Sequence, residues 1–352
     1  MAMDQIKILA KNIFPSVEVL LDDLNMPSVM YKIPKFYVDD VLVGGPHTIY
    51  PCFDVWKGGT WITLDEIYIS KYQNCILNNR AYSLPLKQPT NNITIDAALA
   101  YCETKGLGWH LMSYIEWAGI LLWCKKNLTI PHGNNNSGFD ITYPDEFGTI
   151  TSGNYTATGS GPSTWNHNFT RDGIADLNGN VAEWLSGIRL NVGEINVMER
   201  NKSVDAGVVG HSAGSGLWKS LNKTGGVIQN AGAADAIFMD ALTATPTGIC
   251  INDSVTNITT DVNSTTQPFQ TITNGGSADA AALLILKTFG LFPDGLYDSD
   301  LARIRNNGER FCARGGDNSD TVNAGLGALD FLNKRTDVST KIGFRCSWAD
   351  MS

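Results

Sequence analysis

The chain has little charge. Charged residues make up 17% of its 352 positions, against roughly 25% in an ordinary soluble domain. They form no basic stripe and no run of one sign. With 26 Lys and Arg against 35 Asp and Glu, the net charge is -9. A protein that tracks phosphates needs clustered cations, so a nucleic-acid-binding role is excluded. No stretch of 18 apolar residues occurs, which excludes a membrane-spanning helix. The N-terminus lacks the basic start and apolar centre of a signal peptide. If the protein works outside a cell, release by lysis, as in a virion, fits that absence. No Cys-x-x-Cys occurs among Cys52, Cys75, Cys102, Cys124, Cys250, Cys312 and Cys346, which excludes a compact zinc or thioredoxin-like motif. Cys102 and Cys124 read as core thiols on helical faces. Cys312 and Cys346 read first as buried free thiols, with a disulfide between them as the alternative.

Neutral polar residues take the place of charge: long stretches are rich in Asn, Thr, Ser and Gly. That balance is commoner in extracellular, viral or adhesive β-rich proteins than in metabolic enzymes. Hydrophobic residues still reach 43%, enough for a substantial core. Residues 1–50 read as a small separate element for attachment or oligomerisation, with strand-like alternation over 29–38 and a turn at Gly44-Gly45-Pro46. Residues 62–72 read as strand. A first helix is predicted over 95–105, capped by Thr94 and ended by Gly106. A second begins at Ser113, where Glu116 completes a capping box. Trp117, Ile120, Leu121 and Cys124 then form one apolar stripe. Residues 131–175 are turn-rich. Residues 190–280 read as an insertion of short strands or loops without a repeat period. The last 60 residues contain short apolar runs, including Leu283-Leu284-Ile285-Leu286. The class is α+β, with two helices among many short strands.

No nucleophile elbow, phosphate loop or dinucleotide fingerprint is present. The five histidines (His47, His110, His132, His167, His211) are scattered, and His167 reads as structural. Asp176, Asn178 and Asn180 alternate ahead of Glu183, and oxygen ligands so spaced suit a hard cation such as Ca²⁺. A tight Asn-Gly turn with Trp184 in the core is the other reading.

Several pieces, taken in order, resemble one family. They are Ile69-Ser70-Lys71-Tyr72, Gly108-Trp109-His110-Leu111-Met112-Ser113 with Glu116-Trp117, Asp176-Leu177-Asn178-Gly179-Asn180-Val181-Ala182-Glu183-Trp184, Arg314-Gly315-Gly316, and Gly343-Phe344-Arg345. Together they resemble the formylglycine-generating enzyme superfamily, and within it the variable proteins of diversity-generating retroelements, including phage tail-fibre receptor-binding proteins. The resemblance runs from about residue 51 to the C-terminus and implies an elaborated C-type lectin fold. In the enzyme branch, two cysteines between the Arg-Gly-Gly and Gly-Phe-Arg elements bind copper through soft thiolates. Residues 314–345 contain no cysteine here, so the resemblance implies a binding protein rather than an enzyme. A divergent metal-dependent oxidase or hydroxylase, or a host cell-surface display protein, are the alternatives.

By position, the resemblance implies a candidate calcium site at the Asp176 side chain, the Gly179 and Val181 carbonyls and Glu183. It also implies a variable segment over 314–345. Its candidate ligand-binding positions are Asp317, Asn318, Ser319, Asp320, Thr321, Asn323, Gly327, Asp330, Leu332, Asn333, Lys334, Asp337, Ser339 and Lys341. Relatives carry aromatics at the positions of Asn318 and Gly327, and this chain has none there. Its face is therefore expected to be more polar, with several copies raising a weak single-site affinity. The implied partners are a cell-surface receptor, protein or glycan, and tail-fibre or virion proteins. A homotrimer is expected by analogy.

Overall fold

The computed structural model describes residues 15–243 and 248–352. Its architecture is mixed α+β and rich in strand. A five-stranded sheet is ordered β1 (Val17–Leu21), β2 (Pro27–Pro34), β3 (Glu66–Ser70), β11 (Cys346–Trp348) and β4 (Trp109–Leu111). All its pairings are antiparallel. The described part of residues 1–50 therefore does not stand apart, as the sequence suggested. Tyr31 pairs with Ile69 and Ile33 with Ile67, so this hairpin is the edge of the sheet that the C-terminus completes. Residues 1–14 lie outside the described residues.

Among the described residues, the second sheet has twelve strands. Its centre is β5 (Ala182–Asn191), flanked by β6 (Glu194–Met198) and β8 (Glu309–Gly315). β9 (Gly325–Asn333) pairs with β8, and β7 (Leu301–Ile304) runs parallel beside β9. β10 (Ile342–Phe344) runs parallel to the start of β5. The 190–280 insertion supplies short strands at both ends. Phe238–Ala241 and Ile249–Asn252 extend the sheet beyond β6, while Thr265–Pro268 closes the edge beside β7.

Local chemistry sets the helices. In α1 (Ile95–Glu103) the Thr94 hydroxyl accepts from Ala97 N at 3.2 Å. In α2 (Tyr114–Asn127) Ser113 and Glu116 form the expected reciprocal box. Burial in α2 exceeds one stripe, because every residue from 114 to 122 is buried. A helix apolar all round needs partners on every side. Here one core cluster joins Trp117, Ile120 and Leu121 to Ile67 and Ile69 of one sheet and to Leu185 and Ile188 of the other. Among the described residues there are five helices rather than the expected two: besides α1 and α2, the single turns Val38–Val41 and Gly207–Gly210, and α3 (Ala280–Thr288), which lies where the sequence shows only a short apolar run; Asp279 caps α3 through Ala282 N at 2.8 Å.

The cysteines also differ from expectation. Cys346 is bonded to Cys102, not to Cys312, and Cys312 is a buried free thiol. Cys346 sits opposite Leu111 on the neighbouring strand, and α1 packs on that strand. This brings the Cys102 and Cys346 Cα atoms to 5.7 Å, within bonding range.

Candidate functional site

The separated motif pieces meet in one buried frame. Gly179 N donates to Gly315 O at 2.9 Å, docking the Asn-Gly turn against the Arg-Gly-Gly element. Gly315 and Gly316 have φ of +92° and +72°. A Cβ on Gly316 would come within 2.6 Å of Ala324, so this turn accepts only glycine. Gly343 lies beside Glu183 in the β10–β5 pairing. Arg345 then reaches Glu183 with two bonds of 2.6 Å, from Nε and from Nη2. It also donates to Ser70 O at 2.8 Å and Ala175 O at 3.0 Å. Both side chains are essentially buried.

The expected calcium ligands do converge, but on a hydrogen-bond donor. Gln73 Nε2 lies 2.9 Å from Val181 O, 3.1 Å from Glu183 Oε1 and 3.4 Å from Gly179 O. From Asp176 it meets the carbonyl oxygen, at 3.0 Å. The Gln73 Oε1 atom accepts from Asn180 Nδ2 at 3.0 Å, which fixes the amide in this sense. The Asp176 carboxylate turns elsewhere and accepts from Gly159 N at 2.8 Å. Burial pushes that carboxyl up to about 6. With an amide NH₂ at the centre and a guanidinium on Glu183, the residues do not fit a divalent cation. Among the described residues, no group of three or more His, Cys, Asp or Glu side chains could hold a metal. Excess calcium and a strong chelator should therefore both leave the thermal midpoint unchanged in a melting experiment. A rise with calcium would contradict the assignment.

On this frame the 314–345 segment forms one wall of a cleft of about 300 Å³. Asp317, Asp320, Asp330, Leu332, Asn333, Ser339 and Lys341, all expected from the sequence, line it together. Strand alternation explains part of the set, since Ala328, Asp330 and Leu332 fall on one face of β9. Gly327 falls on the other face. It is buried, donates to Asp300 Oδ2 at 2.7 Å, and a Cβ there would meet Asp300 and Tyr297 at 2.8 Å. Gly327 is thus not a display position in this chain. Asp317 and Asn318 are also buried rather than exposed. Asp317 accepts from Ser319 N at 2.8 Å and pairs with Lys341 at 3.2 Å. Asn318 Nδ2 donates to Gly153 O at 3.3 Å.

Ser319 is exposed, and its hydroxyl meets Lys341 Nζ at 2.7 Å. Thr321 and Asn323 lie half-buried in the one-turn segment Thr321–Asn323. Lys334 and Asp337 lie outside the cleft. Lys334 pairs with Asp261 of the insertion at 2.6 Å, and Asp337 accepts from Lys334 N at 2.9 Å.

Of the lining residues outside the expected set, one is charged. Arg303, on β7, donates to Asp320 at 2.5 Å and lies 3.9 Å from Asp330. Its only signal was the run Leu301-Ala302-Arg303-Ile304-Arg305, which alternates like an edge strand but precedes the segment singled out. Burial works to raise Asp320, yet bonding to Arg303 leaves it below the usual carboxylate range. Asp330 is pushed up to about 6, chiefly by burial.

The sign of the pH effect follows. A raised carboxyl holds its proton more tightly when folded than when unfolded. Asp330 therefore costs stability above about pH 6, and the cost is relieved as pH falls toward 4. Asp330→Asn keeps an acceptor for Leu332 N, now 2.8 Å from Oδ1. It should raise the thermal midpoint near pH 8 and change it little near pH 4.5. Equal shifts at both would contradict this.

Among the described residues, no helix is long and apolar enough to cross a membrane. No protein-family model matches the chain, and no curated protein matches it.

Proposed function

We propose that the chain is a non-enzymatic receptor-binding protein that displays a diversified surface on a C-type-lectin-like scaffold, as in a phage or prophage tail-fibre adhesin. The observation that carries the reading is the cleft. Seven positions expected to vary share it, and the elements that bracket them are locked into a buried frame by glycines, Gln73 and Arg345. Such a division lets surface side chains change while the backbone stays fixed. Polar groups of both signs around Arg303 and Lys341 suit recognition by complementarity of charge and hydrogen bonding. Single-site affinity on so polar a face is modest, and several copies, three by analogy with tail fibres, would supply avidity.

The test is binding of labelled protein to a panel of bacterial cells. Saturable binding to a subset is expected, with loss in the triple variant Asp320→Ala, Asn333→Ala, Lys341→Ala. Binding to no cell, or binding untouched by the triple variant, would overturn the proposal.

A further inference from the structure

A second and larger cavity, about 650 Å³, lies on the other side of the loop that walls the cleft. Asp317 and Asp320 face the cleft, whereas Val322 and Ala324 line this cavity. Its size is that of a small-ligand site.

One wall is aromatic. Tyr143 stacks on His132, with ring centroids 3.8 Å apart and planes 7° from parallel, and Phe169 meets His132 edge-on at 5.8 Å. Tyr143 is 48% exposed. With one face on His132, it leaves the other open as a flat apolar platform. His132 is held beneath it by Glu146, whose Oε2 is 2.9 Å from Nδ1.

The lining also carries an unmet acceptor. Asn178 is 7% exposed, and its Nδ2 donates to Pro131 O at 2.9 Å. Its Oδ1 is buried and has no hydrogen-bond partner. The Asn178 side chain has to turn for a ligand hydroxyl to reach this atom, and the turn gives the unmet acceptor its partner. Asp298 and Ser299, both exposed, add polar groups to the same lining.

The three carboxylates of the cavity do not make it a cation site. Asp140 is occupied by four donors: Gly133 N at 3.0 Å, Asn135 Nδ2 at 3.2 Å, Thr142 N at 2.8 Å and Tyr143 N at 3.1 Å. Asp300 is buried, already accepts from Gly327 N, and is pushed by burial up to about 8, so it is largely neutral at pH 7. Asp298 alone presents an open charge. What remains is an apolar platform with hydrogen-bonding groups around it. That pattern matches a molecule with one C–H face and a rim of hydroxyls.

We propose that this cavity is a saccharide subsite, in which a pyranose ring lies on Tyr143 and donates hydroxyl hydrogen bonds to Asn178 and Asp298. The subsite is independent of diversification in the cleft. Together the two would give a constant anchor beside a changeable specificity surface.

The test is ligand-observed saturation-transfer NMR on the full chain with four probes: methyl glucoside, galactoside, mannoside and N-acetylglucosaminide. Transfer to the ring protons of at least one is expected. Tyr143→Ala should weaken it about tenfold, the scale of one lost stacking contact. Tyr143→Phe should retain it and serves as the folded control. The cleft triple variant should bind the sugar unchanged even where it no longer binds cells, which separates this proposal from the previous one. Three results would overturn it: no transfer with any of the four probes, wild-type affinity in Tyr143→Ala, or binding of N-acetyl-lysine methylamide in place of the pyranosides.

Discussion

Arg345→Ala is expected to destabilise the protein by about 3–5 kcal/mol, the scale for removing one member of a buried ion pair. The guanidinium is fully buried and spends its donors on both Glu183 oxygens and on the carbonyls of Ser70 and Ala175. Alanine would leave Glu183 charged and facing only the Gln73 amide. It would also orphan two carbonyls and open a cavity between the sheets. Urea unfolding reads the loss directly. Arg345→Met paired with Glu183→Met should cost less than either single change with its partner left in place, because no uncompensated charge remains. A cost within about 1 kcal/mol for Arg345→Ala would mean that the pair does not hold the frame.

The second large effect is expected from the disulfide. Cys102 and Cys346 are 244 positions apart, so their bond closes most of the chain into one loop. On the chain-entropy account such a closure is worth about 5.5 kcal/mol. Cys102→Ser with Cys346→Ser should lower the urea midpoint accordingly, and a reductant should do the same to the wild type. Alkylation without reduction, read by mass spectrometry, should label five of the seven cysteines in the unfolded protein. Seven labelled cysteines would contradict the bond. On the virion reading proposed above, the bond would form only after release from a reducing cytoplasm.

What was legible in the sequence was local. The Thr94 cap and the Ser113–Glu116 box involve residues three apart, so their chemistry is visible in a short window. Helix α3 was legible in principle from Asp279, but its face of Ala and Leu has no polar interruption to mark a helical period. The Cys102–Cys346 bond was not legible, because it depends on which strands are neighbours, and β4 and β11 are brought together only by the whole sheet.

The cleft was legible in half of its positions for a similar reason. The resemblance located the segment, and seven of its residues do meet. The two-residue period of β9 then turns Gly327 away. Lys334 is drawn off by Asp261, a residue of the insertion that no local pattern could place. Arg303 enters because β7 pairs in parallel with β9, a long-range choice. Of the expected calcium ligands, the Gly179 and Val181 carbonyls and Glu183 do converge, but the Asp176 carboxylate turns away to Gly159. What the spacing could not reveal was Gln73, more than 100 positions away, whose amide fills their centre.

The central claim is that residues 314–345 are a diversified binding face on a fixed frame. It is tested most directly by sequencing these codons in sibling clones of one lineage, together with the surrounding locus. The account predicts a near-copy of the segment beside a reverse transcriptase. It also predicts substitutions at template adenines that fall on cleft positions such as Asp320, Asp330, Asn333 and Lys341, with Gly315, Gly316, Gly327 and Arg345 unchanged. No template, together with siblings identical across these codons or varying equally at the buried glycines, would contradict it.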